Sequence, residues 1–334
     1  VAGTSGGAMT SPVGPRYGMT IPFDGVPLHA QREWIEELVS LGYTDVWSAE
    51  ADGADGFTPL ALTSVWAPTL RLGTAIIPAF TRGPACLAQS VGAMAQAAPG
   101  RFVLGMGTSS NVIVERWNGI AFDQPYKRMR DTVRFLRQAL TGEKVTETYD
   151  TFAVKGFRLK VLPEQPVPIL VAALREGMLN LAGREGDGAI INWLSADDVA
   201  RVAPIVKAHG ADKEIVARIF VAPSEDTEAV RAAARFAIAA YLNVGVYRAF
   251  HEWLGRTDDL ADMWAAWEAG DRPAALAAIP DHVVDDLVVH GSAEQCRAQI
   301  QRYVDNGVTT PALAVLPLAP DIDVRRSLAD LAPR

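Results

Sequence analysis

The sequence predicts an α/β fold, a parallel (β/α)8 TIM barrel. Three observations carry this reading. Short apolar segments alternate with helix-patterned segments eight times along the chain. Its 334 residues suit one large α/β barrel, and eight strands exceed what a doubly wound domain of this size normally holds. No internal repeat of fixed period is visible beyond the alternation, which excludes a solenoid.

The elements follow in order. RYGMTI (16–21) is the first strand, and in the helix after it Leu28, Ile35, Leu38 and Val39 share one face before a terminal Gly42. TDVWSAE (44–50) is the second strand, with a helix from about Pro59, and RLGTAII (71–77) is the third, followed by PACLAQSVGAMAQAA. RFVLGMG (101–107) is the fourth, and its long helix ends at Gly142. Residues 143–166 break the rhythm and read as a hairpin inserted after the fourth unit, around a Lys-Gly turn at Lys155 and Gly156. VPILVAA with helix 176–185, GAIINWL with helix 196–209, and EIVARIFVA with a helix from Thr227 bring the count to seven. Residues 244–282 form a helical, aromatic-rich insertion before the eighth strand, TPALAVLPL. The domain reading is therefore a flexible tail or expression scar at 1–15 and a single barrel domain at 16–334, with both insertions docked on it.

Composition narrows the function. A formal net charge of -8 disfavours nucleic acid and anionic membranes as partners and leaves small-molecule substrates. Cys86 and Cys296 lie too far apart in sequence for a disulfide framework, so a reducing cytoplasm is the expected setting. No apolar run approaches the roughly 20 residues of a membrane span.

In such a barrel the chemistry sits at the carboxyl ends of the strands. Those ends carry Glu50, then Ala75 and Ile76, then Gly107, Thr108, Ser109 and Ser110. On the fifth and sixth strands they carry Ala173, Leu174 and Arg175, then Asn192 and Trp193. No Ser-His-Asp set, HExxH motif or strand-end lysine is present, and the five histidines fall mostly on helices or insertions, His29 among them as a helix-surface residue. A cofactor is the natural source of chemistry. GRFVLGMGTSS lacks the third glycine of a dinucleotide fingerprint, having Ser110 there, and lacks the Gly-Lys-Ser/Thr ending of a P-loop. The acidic loop EADGADG lacks the glutamate an EF-hand needs, so no metal site is expected.

LGYTDVWSAE, LRLGTAII, GRFVLGMGTSS and LNLAGREGDGAI, in this order, resemble the bacterial luciferase-like superfamily, and most closely its branch that uses the deazaflavin coenzyme F420. The resemblance covers about residues 17–195 and the segment around VVHGSAEQC. It implies a non-prolyl cis peptide at Ala75-Ile76 beneath the cofactor ring, and a homodimer. It implies a phosphate cradle of Gly107, Thr108, Ser109 and Ser110 on one side. On the other stand Ala173, Leu174, Arg175, Glu176, Gly177 and Met178, where the helix start offers free N–H groups and a positive dipole end.

Glu50 is the candidate catalytic acid, with an Arg82 salt bridge as its structural alternative. Related F420 enzymes often carry a histidine after that acid, and those that oxidise sugar phosphates carry a glutamate in the fourth loop. Ala51 and Ser110 stand there instead, which argues against sugar-phosphate dehydrogenation. Asn192, Trp193 and Trp253 are the candidate substrate pocket, with the aromatic insertion either covering the ring or forming a subunit interface. The expected function is an F420-dependent oxidoreductase passing a hydride between F420 and a small organic substrate. The alternatives are an FMN-dependent monooxygenase and a non-catalytic flavin-binding barrel.

Overall fold

The computed structural model describes residues 16–333; the expected N-terminal tail lies outside them. Eight strands close into a parallel barrel: β1 (Gly18–Ile21), β2 (Asp45–Ser48), β3 (Arg71–Thr74), β4 (Phe102–Gly107), β5 (Ile169–Ala172), β6 (Gly188–Asn192), β7 (Glu214–Ala222) and β8 (Thr310–Val315). Each pairs in parallel with the next, and β8 closes on β1 through Gly18↔Ala312 and Met19↔Leu313. The helices α1 (Arg32–Ser40), α2 (Thr58–Trp66), α3 (Pro84–Ala97), α4 (Pro125–Ala139), α5 (Glu176–Glu185), α6 (Ala196–Lys207) and α7 (Thr227–Leu242) alternate with the first seven strands. The continuously buried strands, such as FVLGMG in β4, are what a sheet covered on both faces requires.

The barrel interior is filled rather than hollow. Trp47 on β2 packs with Val103, Leu170, Ile190, Val216 and Ala312 in one inner cluster. Glycines on the flanking strands make room for the indole: a Cβ on Gly73 would stand 2.2 Å from the Trp47 ring, and one on Gly18 2.8 Å from it. Gly73→Ala should therefore cost about 1–3 kcal/mol of stability through overpacking. Denaturant unfolding checks this, and an unchanged midpoint would contradict the packing.

Below the indole the amino-terminal mouth is closed by charge. Arg71 bonds Glu214 at 2.6 and 2.7 Å and reaches Asp45 at 3.2 Å, while Arg16 bonds Asp45 from the other side at 3.1 Å. Burial pushes the Glu214 carboxyl up, but the hydrogen bond and charge of Arg71 outweigh it and hold the group below the usual range.

Both insertions take the predicted class. Residues Val145–Thr148 and Ala153–Phe157 form the antiparallel hairpin. Its turn differs from the expectation: the chain reverses at Asp150-Thr151, and Lys155-Gly156 lies within the second strand. The buried Asp131 of α4 fixes the reversal, accepting both the N–H and the hydroxyl of Thr151 at 3.0 Å. The second insertion comprises α8 (Gly245–Leu254), α9 (Thr257–Glu268), α10 (Arg272–Ala277) and α11 (Asp281–Leu287), so it runs slightly past residue 282. A short strand, Val288–His290, then pairs with the end of β7 before α12 (Ala293–Asp305) leads into β8, and α13 (Val324–Asp330) follows it. The insertion shares a buried cluster with α7, Phe220 and Ala314, among them Leu260, Met263 and Trp264.

Candidate active site

A cavity of about 1010 Å³ opens at the carboxyl ends of the strands, the face where barrels of this kind carry their chemistry. Its walls bring together residues far apart in sequence: Glu50 after β2, Ala75 and Ile76 after β3, and Gly107 to Ser110 after β4. Ala173 and Leu174 follow β5, Arg175 to Met178 open α5, and Asn192 ends β6. The insertion contributes Val246, Tyr247, Trp253 and Trp267, so it forms part of the cavity wall.

The floor at β3 has an irregular backbone. Ala75-Ile76 is a cis peptide with no proline, as the resemblance implied. The chain resumes pairing at Ile77-Pro78, which lie beside Met106 and Gly107 of β4. Ile76 and Ala75 are thereby set half-buried against the cavity. Gly107 is tightly placed, since a Cβ there would sit 3.0–3.1 Å from Ala172 and Ile76. Beyond it Ser109 takes a left-handed φ of 62°, and Ser110 accepts from Ile113 N–H at 3.4 Å, opening a π-type helical turn at Val112–Trp117 that the sequence did not announce.

Across the cavity α5 begins at Arg175, whose side chain makes no capping bond. The first N–H groups of a helix have no acceptor within it, so those of Glu176, Gly177 and Met178 are free to meet an anion. Gly177 lies exposed on the cavity, and nothing stands within 4 Å of where its Cβ would be. Arg175 is exposed beside it and forms no ion pair among the described residues. These features fit a phosphate with room for a chain leading out of the cavity.

Glu50 is fully engaged. Arg82 holds Oε1 at 2.5 Å, Thr81 reaches the same oxygen at 3.4 Å, and Gly56 N–H donates to Oε2 at 3.0 Å. Arg82 in turn rests over the Phe57 ring at 5.0 Å. The carboxylate therefore fastens the loop between β2 and α2 while bordering the cavity, and as it stands each of its oxygens acts as a hydrogen-bond acceptor.

Of the three substrate-pocket residues, Asn192 and Trp253 line the cavity, with Arg201 lying 4.0 Å over the Trp253 ring. Trp193 does not. Its φ of 54° turns the chain, and the buried indole stacks on Phe220 at 4.1 Å and contacts Tyr241 at 4.9 Å. It supports the wall from behind. His29 is exposed and does not reach the cavity.

The residue that sequence reasoning missed is Arg218, in the middle of β7 and on the cavity wall. Its signal was available, as a lone charge inside the apolar run EIVARIFVA.

A family profile described as luciferase-like monooxygenase matches residues 6–310. The chain belongs to that family. Among its relatives, a 5,10-methylenetetrahydromethanopterin reductase of Methanolobus tindarius is 28% identical over 84% of this chain and 88% of that protein. An F420-dependent glucose-6-phosphate dehydrogenase of Mycobacterium avium is 30% identical over 84% of each. The fold is also that of the coenzyme F420-dependent tetrahydromethanopterin reductase from Methanopyrus kandleri, with a TM-score of 0.78, 18% identity, and coverage of 95% of this chain and 97% of that one. Proteins whose names specify F420 are thus among those this chain resembles.

Proposed function

We propose that this protein is an F420-dependent oxidoreductase that passes a hydride between the deazaflavin and a small organic substrate. The observation that carries the reading is the exposed Gly177 at the free start of α5, facing the Gly107–Ser110 loop across a cavity floored by the cis Ala75-Ile76 peptide. The name of the relative at 30% identity supports F420 as the cofactor.

The residues present fit that group. Ala75 and Ile76 would support the ring, and the amides of α5 with Ser109 and Ser110 would hold the phosphate. The acidic tail would leave past Arg175, along the rim formed by Tyr126 and the exposed Trp117. When bound, F420 supplies hydride transfer with little reactivity toward oxygen. The protein supplies orientation and exclusion of water, with Tyr247, Trp253 and Trp267 closing the insertion side of the cavity.

Glu50 is the group we assign to the accompanying proton. Glu50 borders the cavity, and in this role it would give a proton to an acceptor that F420 reduces and take it back in the reverse reaction, its hold on Arg82 and Gly56 loosening as it does so. The histidine and glutamate positions of the sugar-phosphate enzymes are Ala51 and Ser110, so the substrate we propose is not a sugar phosphate. Glu50→Gln should lower turnover about 100-fold while changing F420 affinity little. Equal losses in both would make Glu50 a binding residue.

The function is tested with reduced F420 under anaerobic conditions. Deazaflavin oxidation should require an added organic acceptor. Oxygen consumption with reduced FMN would instead give the FMN-dependent monooxygenase.

A further inference from the structure

Arg218 occupies an unusual position for a cation. It lies at the centre of β7, and its parallel-register partners are Asn192 on β6 and Ala312 on β8. Register partners on neighbouring strands face the same side of a sheet. Arg218 and Asn192 accordingly project together into the barrel, where both border the cavity.

The guanidinium makes no hydrogen bond or ion pair with any other described residue, and its Nε is fully shielded from solvent. Two other arginines near the barrel strands differ. Arg71 is tied to Glu214 and Asp45, and Arg82 to Glu50. One face of Arg218 lies over the Phe220 ring at 5.1 Å, and Phe220 is itself stacked on Trp193, so the side chain is braced by aromatic packing.

Two neutral polar groups stand beside it. Asn192 Nδ2 donates to Tyr247 Oη at 3.3 Å, and Asn192 Oδ1 is buried without a partner. Burial, with Tyr241 nearby, pushes the Tyr247 phenol up to about 12, so it keeps its proton at neutral pH and can donate. Arg218 is only partly buried, so the terminal nitrogens of its fork are left for the cavity, and the planar fork of arginine matches a carboxylate. Of the acids that line the cavity, Glu50 is already held by Arg82, and neither Asp52 nor Glu176 forms an ion pair with Arg218. Among the described residues no acid stands within ion-pair distance of its guanidinium.

We propose that Arg218, with Tyr247 and Asn192, is the subsite that binds the carboxylate of the substrate. Arg218 and Tyr247 supply the donors, and Asn192 Oδ1 accepts from a hydroxyl or amine next to the carboxylate. The proposal deepens the oxidoreductase reading by naming a substrate class, organic acids, and it rests on that reading for the reaction.

The test uses the full chain and two probes of one shape, benzoate and benzamide, with binding measured by calorimetry and F420 affinity measured separately. Wild-type protein should bind benzoate at least about tenfold more tightly than benzamide. Arg218→Leu should remove that preference and leave F420 affinity unchanged. Arg218→Lys keeps the charge without the fork and should weaken benzoate severalfold; it carries the test if the leucine variant does not fold. Equal binding of the two probes to wild-type protein would overturn the proposal. So would unaltered benzoate binding in the folded variants. A loss of F420 affinity matching the loss of benzoate would also overturn it, assigning the guanidinium to the cofactor ring. If wild-type protein binds benzoate selectively but not F420, the carboxylate subsite stands and the cofactor assignment falls.

Discussion

Gly177→Val should weaken F420 binding about 100-fold without destabilising the barrel. The two halves of this expectation have separate physical grounds. At Gly177 no heavy atom lies within 4 Å of the new Cβ, so valine meets no protein group and costs little in folding. The space it fills is cavity, directly over the amides of the first turn of α5. A branched side chain there pushes a phosphate away from N–H groups whose bonds to a charged oxygen are each worth about 1.5–3 kcal/mol. Fluorescence titration with F420, paired with thermal unfolding, checks both halves. A folded variant with unchanged affinity would remove the phosphate from α5. A variant of lowered stability would show that the glycine serves packing instead.

Acid should loosen the insertion through one histidine. His251 on α8 is wholly buried, and neither ring nitrogen has a partner among the described residues. Burial, then the charge of nearby Arg256, lowers it to about 4. Arg256 is itself bound to Asp198 at 2.9 Å and Asp286 at 2.8 Å, which places the histidine beside the ionic joint between α6 and the insertion.

The direction follows from proton uptake. The unfolded chain takes up this proton near pH 6.5 and the folded chain only near 4, so the full stability is present above about pH 6.5 and is lost as pH falls toward 4. The loss through this one residue is about 3 kcal/mol. His251→Leu, which keeps the site neutral, should flatten the pH dependence of the urea midpoint over that window. Parallel curves for variant and wild type would show that His251 is not the group responsible.

The architecture was legible because the eight apolar strand segments and the helix faces between them repeat one period, with glycine ends such as Gly42 and Gly142 marking the boundaries. Both glycines do adopt positive φ, at 89° and 84°. The small residues that border the cavity at the strand ends, Gly107 to Ser110 and Gly177, were legible for a related reason: close backbone approach needs such residues, and that need shows in the residue types themselves.

Other features depend on three-dimensional encounters that no local pattern encodes. The hairpin turn was misplaced because Asp131, some 20 residues upstream, captures Thr151 and outweighs the Lys-Gly pair. Trp193 was drawn to the pocket by its strand-end position, yet a left-handed residue there redirects the ring onto Phe220. Glu50 was correctly placed at the cavity, and the alternative pairing with Arg82 is what the side chains form. Arg218 was overlooked because one charge in a strand reads as a tolerated exception, and its meaning appears only once its neighbours prove to offer no counter-charge.

If the cavity holds a deazaflavin whose tail passes out beyond Arg175, cofactor selectivity must follow from it. The direct measurement is titration of the cofactor-free protein with F420 and with FMN side by side. F420 should bind at micromolar concentration or tighter, about -8 kcal/mol, with FMN at least tenfold weaker. Tighter binding of FMN, with F420 excluded, would contradict it.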